Sequence, residues 1–309
     1  MMSNELIISV AMATYNGEKY LREQLDSILV QTRLVDEIIV VDDGSSDSTL
    51  LILDEYKQRY ENIKVFSNKI NLGVVKSFEL AISLCSGDYI ALSDQDDVWF
   101  PNKIAVLLEQ IGNNLLIHSD DVLVDDSLQV IESSHFAWGK QVDKTNFFDY
   151  LVNVNVTGCT VMFSRELVNL ALPFKSYSLP HDWYLTYYAA YLSRIKLYLQ
   201  PLLYYRQHEI NVSGARKKTF AQYIRNCAEV GLGLNDVLKD DFFGRDSDLI
   251  LMRNYKQGVA QRSLLGYRET FQLLRKGQVG CKLLIFYWLM TLPPLSLSEK
   301  IYNIIRKYI

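Results

Sequence analysis

The sequence predicts an α/β protein built on a mixed, mostly parallel sheet with helices on both faces, followed by a helical C-terminal region. Two observations predict it. Four apolar runs of strand length alternate with three stretches of helical periodicity inside the first hundred residues, the pattern of βαβ units. The first, second and fourth runs each end in a polar loop. In such sheets ligands lie outside the carboxyl ends of the strands, so those three loops are expected to converge on one crevice.

The elements follow in order. Residues 7–12 (Ile-Ile-Ser-Val-Ala-Met) form a buried strand that stops at Ala13-Thr14-Tyr15-Asn16-Gly17. Tyr20, Leu21, Leu25, Ile28 and Leu29 recur at helical spacing. Ile38-Ile39-Val40-Val41 is the second strand, and the Asp42-Asp43-Gly44-Ser45-Ser46-Asp47-Ser48 loop supplies an N-cap for a helix carrying Leu50, Leu53 and Tyr56. Residues 63–66 make the third strand, and Val74, Phe78, Ala81, Ile82 and Cys85 make the next inner helical stripe. Tyr89-Ile90-Ala91-Leu92 delivers the acidic stretch Ser93-Asp94-Gln95-Asp96-Asp97. Beyond it, short apolar runs over 115–124, a strand over 158–163, a helix from Ser164, a Tyr-rich helix after Pro180 and a short strand over 195–199 are expected. Helical spacing takes over near residue 215, so the expected domains are 1–215 and 216–309.

Composition narrows the function. Of 309 residues 49% are hydrophobic, enough for a packed core, and a net charge of −4 leaves no electrostatic footprint for nucleic acid. Four cysteines without C-x-x-C spacing argue for reduced thiols and against a zinc site. The N-terminus carries Glu5 and no cleavage pattern, so no leader is expected, and no run of 18 apolar residues spans a bilayer.

The acidic stretch carries the chemistry. On a strand running into a loop, Asp94 and Asp96 point to one side and Gln95 away. Carboxylates so placed repel unless a cation lies between them, and a hard ion such as Mg²⁺ or Mn²⁺ suits oxygen ligands and a substrate's phosphates. The competing reading is a solvated acidic turn. An EF-hand is excluded, because the sixth position from Asp94 is Trp99 rather than Gly.

Taken together in that order, Ala13-Thr14-Tyr15-Asn16-Gly17, Val41-Asp42-Asp43-Gly44-Ser45, Ser93-Asp94-Gln95-Asp96-Asp97, His181-Asp182-Trp183 and Tyr205-Arg206-Gln207-His208 resemble a family 2 glycosyltransferase of GT-A fold. The likeness is to the bacterial polysaccharide, rhamnosyltransferase-like branch, and covers about residues 5–215. It implies inverting transfer of a sugar from a nucleotide diphosphate-sugar, dTDP-rhamnose favoured, to the hydroxyl of a saccharide or lipid-linked oligosaccharide. It places Thr14, Tyr15, Asn16, Asp43, Asp94, Gln95 and Arg206 at the nucleotide-sugar, with Tyr15 stacking on the base and Asp43 accepting from it. Asp96 becomes a direct ligand of Mg²⁺ or Mn²⁺, and His208 a further one. Asp97 is either a second metal contact or a helix cap, and Asp42 is read as turn chemistry.

Asp182 is the expected catalytic base, since an acceptor hydroxyl is a poor nucleophile until a carboxylate takes its proton. A plain helix cap is the alternative. Trp183 and Asp120 are acceptor candidates. Asn211 and Ser213 join Arg206 as candidate diphosphate contacts, and His118 and His135 are read as structural. In the tail, apolar residues beside Lys300, Arg306 and Lys307 fit either an interfacial helix on anionic lipid or a dimer contact. The enzyme is therefore expected in the cytoplasm, at the inner membrane face if the tail binds lipid. Two other classes compete. A nucleotidyltransferase wants a basic, Gly-rich phosphate loop that Ala13–Gly17 does not provide, and a non-catalytic nucleotide-sugar-binding module has no use for Asp182.

Overall fold

The computed structural model describes residues 6–138, 147, 150, 154 and 156–208, together with helical positions at 232–234, 236, 237, 250, 253, 254 and 257. The expectations for Asn211, Ser213 and most of the tail lie outside these residues. The chain divides into two compact units, one of Met1–Asp143, Asn155–Phe174 and His181–Gly214, the other of Lys144–Val154, Lys175–Pro180 and Ala215–Ile309.

The first unit opens with β1 (Ile8–Thr14), α1 (Leu21–Leu29), β2 (Glu37–Asp42), α2 (Thr49–Arg59), β3 (Ile63–Ser67), α3 (Val74–Leu84) and β4 (Tyr89–Ser93). β1, β2 and β4 are buried almost throughout, as strands covered on both faces by crossover helices must be. Leu21, Leu25 and Ile28 of α1, and Phe78, Ala81 and Ile82 of α3, bury the stripes that cover them. β1 pairs in parallel with β2 and β4, and β2 with β3.

The chain continues through β5 (Val98–Trp99), α4 (Lys103–Ile111), β6 (Leu116–Val124), β7 (Val130–Glu132), α5 (His135–Trp138), a 3₁₀ turn (Gly158–Thr160), β8 (Val161–Ser164), α6 (Arg165–Ala171), α7 (His181–Tyr191) and β9 (Ile195–Arg206). Among the described residues this gives a nine-stranded sheet in the order β3-β2-β1-β4-β8-β6-β9-β5, with β7 on β6. β8 runs antiparallel to β4 and β6, and β9 parallel to β6. The mixed, mostly parallel sheet matches the expectation.

Two elements differ from it. The strand expected over 158–163 begins as the 3₁₀ turn, and the short strand over 195–199 is the first part of a twelve-residue strand. Pro201 interrupts the latter's sequence pattern, but it lies where the β6–β9 register shifts, at a position that tolerates a missing N–H. That extension carries Arg206 and His208 to the acidic loop.

Candidate active site

The loops after β1 and β2 are stitched to each other. The buried Asp42 carboxylate accepts from the Gly44 and Ser45 amides at 3.1 and 2.9 Å, from Ser45 Oγ at 2.5 Å and from Thr14 Oγ1 at 3.0 Å. Asn16, at φ 49°, takes Ser45 Oγ on its amide and offers Oδ1 to the Ser46 amide at 2.8 Å. Gln95 reaches across from the acidic loop, its Oε1 accepting the Tyr15 amide at 2.9 Å and its Nε2 donating to the Tyr15 carbonyl at 3.1 Å. A Cβ on Gly17 would stand 2.2 Å from Gln95 Oε1, so a larger residue there would displace the Gln95 amide from this bridge. Thr14, Asn16 and Gln95 thus hold the rim rigid and leave the Tyr15 ring, 47% exposed, free to meet a flat ligand.

Asp43 is buried, and its carboxylate gathers the loop before α3. Oδ1 accepts from Asn68 Nδ2 and the Leu72 amide, and Oδ2 from the Gly73 amide, each at 2.8 Å. One lone pair of Oδ2 remains for a further donor.

The acidic loop lies at the end of β4. Asp96 Oδ2 stands 2.7 Å from His208 Nε2, and the His208 ring stacks on Tyr20 at 4.9 Å. Arg206 is only 2% exposed. Its Nε donates to the Asp96 carbonyl at 2.8 Å, Nη1 to the Asp126 carbonyl at 2.6 Å and Nη2 to Glu23 at 2.5 Å. Its own amide donates to Asp97 Oδ1 at 3.1 Å. Sequence reading expected Arg206 at a diphosphate; the structure directs its guanidinium inward, as the clamp that presents Asp96 and His208 side by side. Asp97 is equally inward, and the helix it was expected to cap has Asn102 at its N-cap.

The third contribution comes from the start of α7. Asp182 is buried, its Oδ1 accepts the Trp183 amide at 3.0 Å, and burial raises its pKa to about 7, against the pull of the Trp183, Asp182 and Gly158 amides. Asp94 is raised to about 7 as well, by burial first and then by the charges of Asp96 and Asp182. Asp94 thus feels charge from its own loop and from the start of α7, two distant chain segments. His181, stacked on Phe78 at 3.9 Å, is held neutral by burial, its pKa about 3. Trp183 is half-buried in the first turn of the same helix.

Asp120 is placed differently from the acceptor role considered for it. Its carboxylate accepts from the Phe136 amide at 3.0 Å and from Ser134 Oγ, so it caps α5 from within. His118 is buried, and His135 Nδ1 lies 3.1 Å from the buried Asp121. Sequence reasoning missed Lys103 and Cys159, both buried behind the acidic loop. The available signal was a lysine flush with the apolar stripe Ile104, Leu107 and Ile111.

As a donor set, the Asp96 oxygen and His208 nitrogen suit Mn²⁺ somewhat better than Mg²⁺. The excess of buried negative charge at Asp94 fits a cation nearby.

Residues 9–170 match the family model described as glycosyl transferase family 2. The chain belongs to that family. This family 2 glycosyltransferase is 32% identical over 241 residues to a protein of Shigella flexneri named dTDP-rhamnosyl transferase RfbG, covering 69% of this chain and 77% of the relative. It also resembles solved structures. S. aureus TarS 1–349 in complex with UDP-GlcNAc gives a TM-score of 0.57 at 20% identity, covering 93% of this chain and 82% of that one. The mannosyltransferase PcManGT of Pyrobaculum calidifontis, in complex with GDP-Man and Mn²⁺, gives 0.56 at 15% identity, covering 98% and 88%. At such identities the structural likeness speaks for the fold, and the fold of this glycosyltransferase is GT-A. No helix among the described residues is long and apolar enough to cross a membrane.

Proposed function

We propose that this glycosyltransferase transfers rhamnose from dTDP-rhamnose, with inversion and with a divalent cation, to an acceptor hydroxyl in bacterial surface polysaccharide assembly. The observation that supports the reading is Asp94, raised to about 7 under the charges of both Asp96 and Asp182, with Asp96 Oδ2 2.7 Å from His208 Nε2. The Shigella flexneri relative supports the choice of donor.

In this account the Tyr15 ring stacks on the base, a contact worth about 1–3 kcal/mol in other systems. The free lone pair of Asp43 Oδ2 accepts from the base edge. Asp96 and His208 would hold the cation, which when bound supplies Lewis-acid neutralisation of the charge on the departing diphosphate. Ionised Asp182 takes the proton of the acceptor hydroxyl as its oxygen bonds to the anomeric carbon. The bond from that carbon to the diphosphate breaks on the opposite face, so the configuration inverts. Residues 1–215 would carry the reaction. The 216–309 region would provide either a peripheral membrane contact or a dimer contact.

Donor choice is tested by turnover and thermal shift with a panel of nucleotide-sugars and Mn²⁺. dTDP-rhamnose is expected to give the highest kcat/KM and the largest shift. A preference for a UDP-hexose or UDP-N-acetylhexosamine would replace the donor and leave the site assignments standing.

A further inference from the structure

Lys103 opens α4 with its side chain fully buried. A buried ammonium is costly, so its partners indicate what it holds. Nζ donates to the carbonyl oxygen of Cys159 and lies 3.7 Å from the centre of the Trp99 ring, within cation–π range. That carbonyl belongs to the single 3₁₀ turn Gly158–Thr160, closed by the Thr160 amide and Oγ1 on the Thr157 carbonyl at 2.9 and 2.6 Å.

The other side of the same turn faces the candidate base. A Cβ placed on Gly158 would lie 3.4 Å from His181 Nε2 and 3.6 Å from both Cβ and Oδ2 of Asp182. The Gly158 amide also favours the ionised Asp182 carboxylate. The turn is therefore held between a fixed cation behind the acidic loop and the side chain at the start of α7.

We infer that Lys103 is a positioning residue for sugar transfer: by anchoring the Cys159 carbonyl it fixes the Gly158–Thr160 turn against Asp182 and sets where the base meets the acceptor hydroxyl. This rests on Asp182 acting as the base. Lys103 touches no substrate in this scheme. Its contribution passes through one turn of backbone, whose displacement by an ångström can cost about 10²-fold in rate.

The test uses the full chain as wild type, Lys103→Met, Gly158→Val, Asp182→Asn and the Lys103→Met/Asp182→Asn double variant. Each is measured for kcat, donor KM and cooperative melting. Methionine keeps an unbranched apolar stem against Trp99 and removes the anchoring donor together with its charge; a loss that came from that charge acting on Asp94 would persist when Asp182 is Asn. Lys103→Met is expected to lower kcat by about 10²-fold with donor KM nearly unchanged, and to cost nothing further once Asp182 is Asn. Gly158→Val, whose methyl groups reach past the 3.4–3.6 Å at which a Cβ alone would make ordinary contact with His181 and Asp182, is expected to reproduce the kcat-selective loss, and it carries the comparison should Lys103→Met fail to fold. Equal losses from Lys103→Met in both backgrounds, or a kcat unchanged in Lys103→Met and Gly158→Val, would overturn the inference while leaving Asp182 as the base. Full turnover in Asp182→Asn would remove the base assignment itself.

Discussion

Asp182→Asn is expected to lower kcat for sugar transfer by about 10²–10⁴-fold, the usual contribution of a positioned general base, while donor binding is retained. Asparagine keeps the side-chain shape at the start of α7 and can still accept the Trp183 amide, so the fold should tolerate it. What it cannot do is take the acceptor's proton. Burial is what makes the native group effective: it lifts the carboxyl from its ordinary 3.8 to about 7, close to where an enzyme at neutral pH needs its base. The sign of the pH dependence follows. A base works only when ionised, so kcat should fall as pH drops below about 7 and level off above it. A flat profile between pH 5 and 8, or turnover intact in Asp182→Asn, would remove the assignment of Asp182 as the base.

The second large effect belongs to the cation. Asp96→Ala is expected to abolish stabilisation by Mn²⁺ and to lower kcat by about 10²–10³-fold, the scale of losing electrostatic stabilisation of a charged transition state. In the wild type, Mn²⁺ at about a hundred times its Kd should raise Tm by roughly 5 °C. That rise should shrink with falling pH, because protons compete for the same carboxylates. The linkage runs in one direction. Asp94 and Asp182 have folded pKa values raised above 3.8, so their ionisation destabilises the metal-free protein progressively as pH rises from about 4 to 7. A cation beside Asp94 relieves part of that cost, most at pH 7 and above. A Tm shift that persists in Asp96→Ala, or that grows toward acid pH, would place the ion elsewhere.

Much of this was legible in the sequence, for a physical reason. β1, β2 and β4 are short apolar runs without alternation because both faces are covered, and the loops at their ends are polar because they open to the ligand side. That the charge of Asp182 would act on Asp94 was not visible in any spacing, since 88 positions separate them; the resemblance supplied only a role for Asp182. Arg206 shows where residue type misleads. An arginine beside a histidine in a Tyr-Arg-Gln-His run suggests a phosphate contact, yet its partner Glu23 lies 183 positions away on α1. Asp43 and Gln95 were singled out for a ligand, and the structure gives both a second task, bracing the loops that surround it. Lys103 escaped notice because a lone lysine at a helix start reads as surface, and only the fold reveals the buried carbonyl it meets.

The central claim is that one cavity holds the nucleotide diphosphate at Asp96 and His208 and the acceptor at Asp182. A crystal structure with Mn²⁺ and dTDP tests it most directly. The account predicts the ion bound by Asp96 and His208, the thymine ring on Tyr15 and the terminal phosphate directed toward Asp182 from the side opposite an acceptor. An ion or nucleotide seated away from Asp96, with Asp182 beyond reach of any sugar on that phosphate, would contradict it.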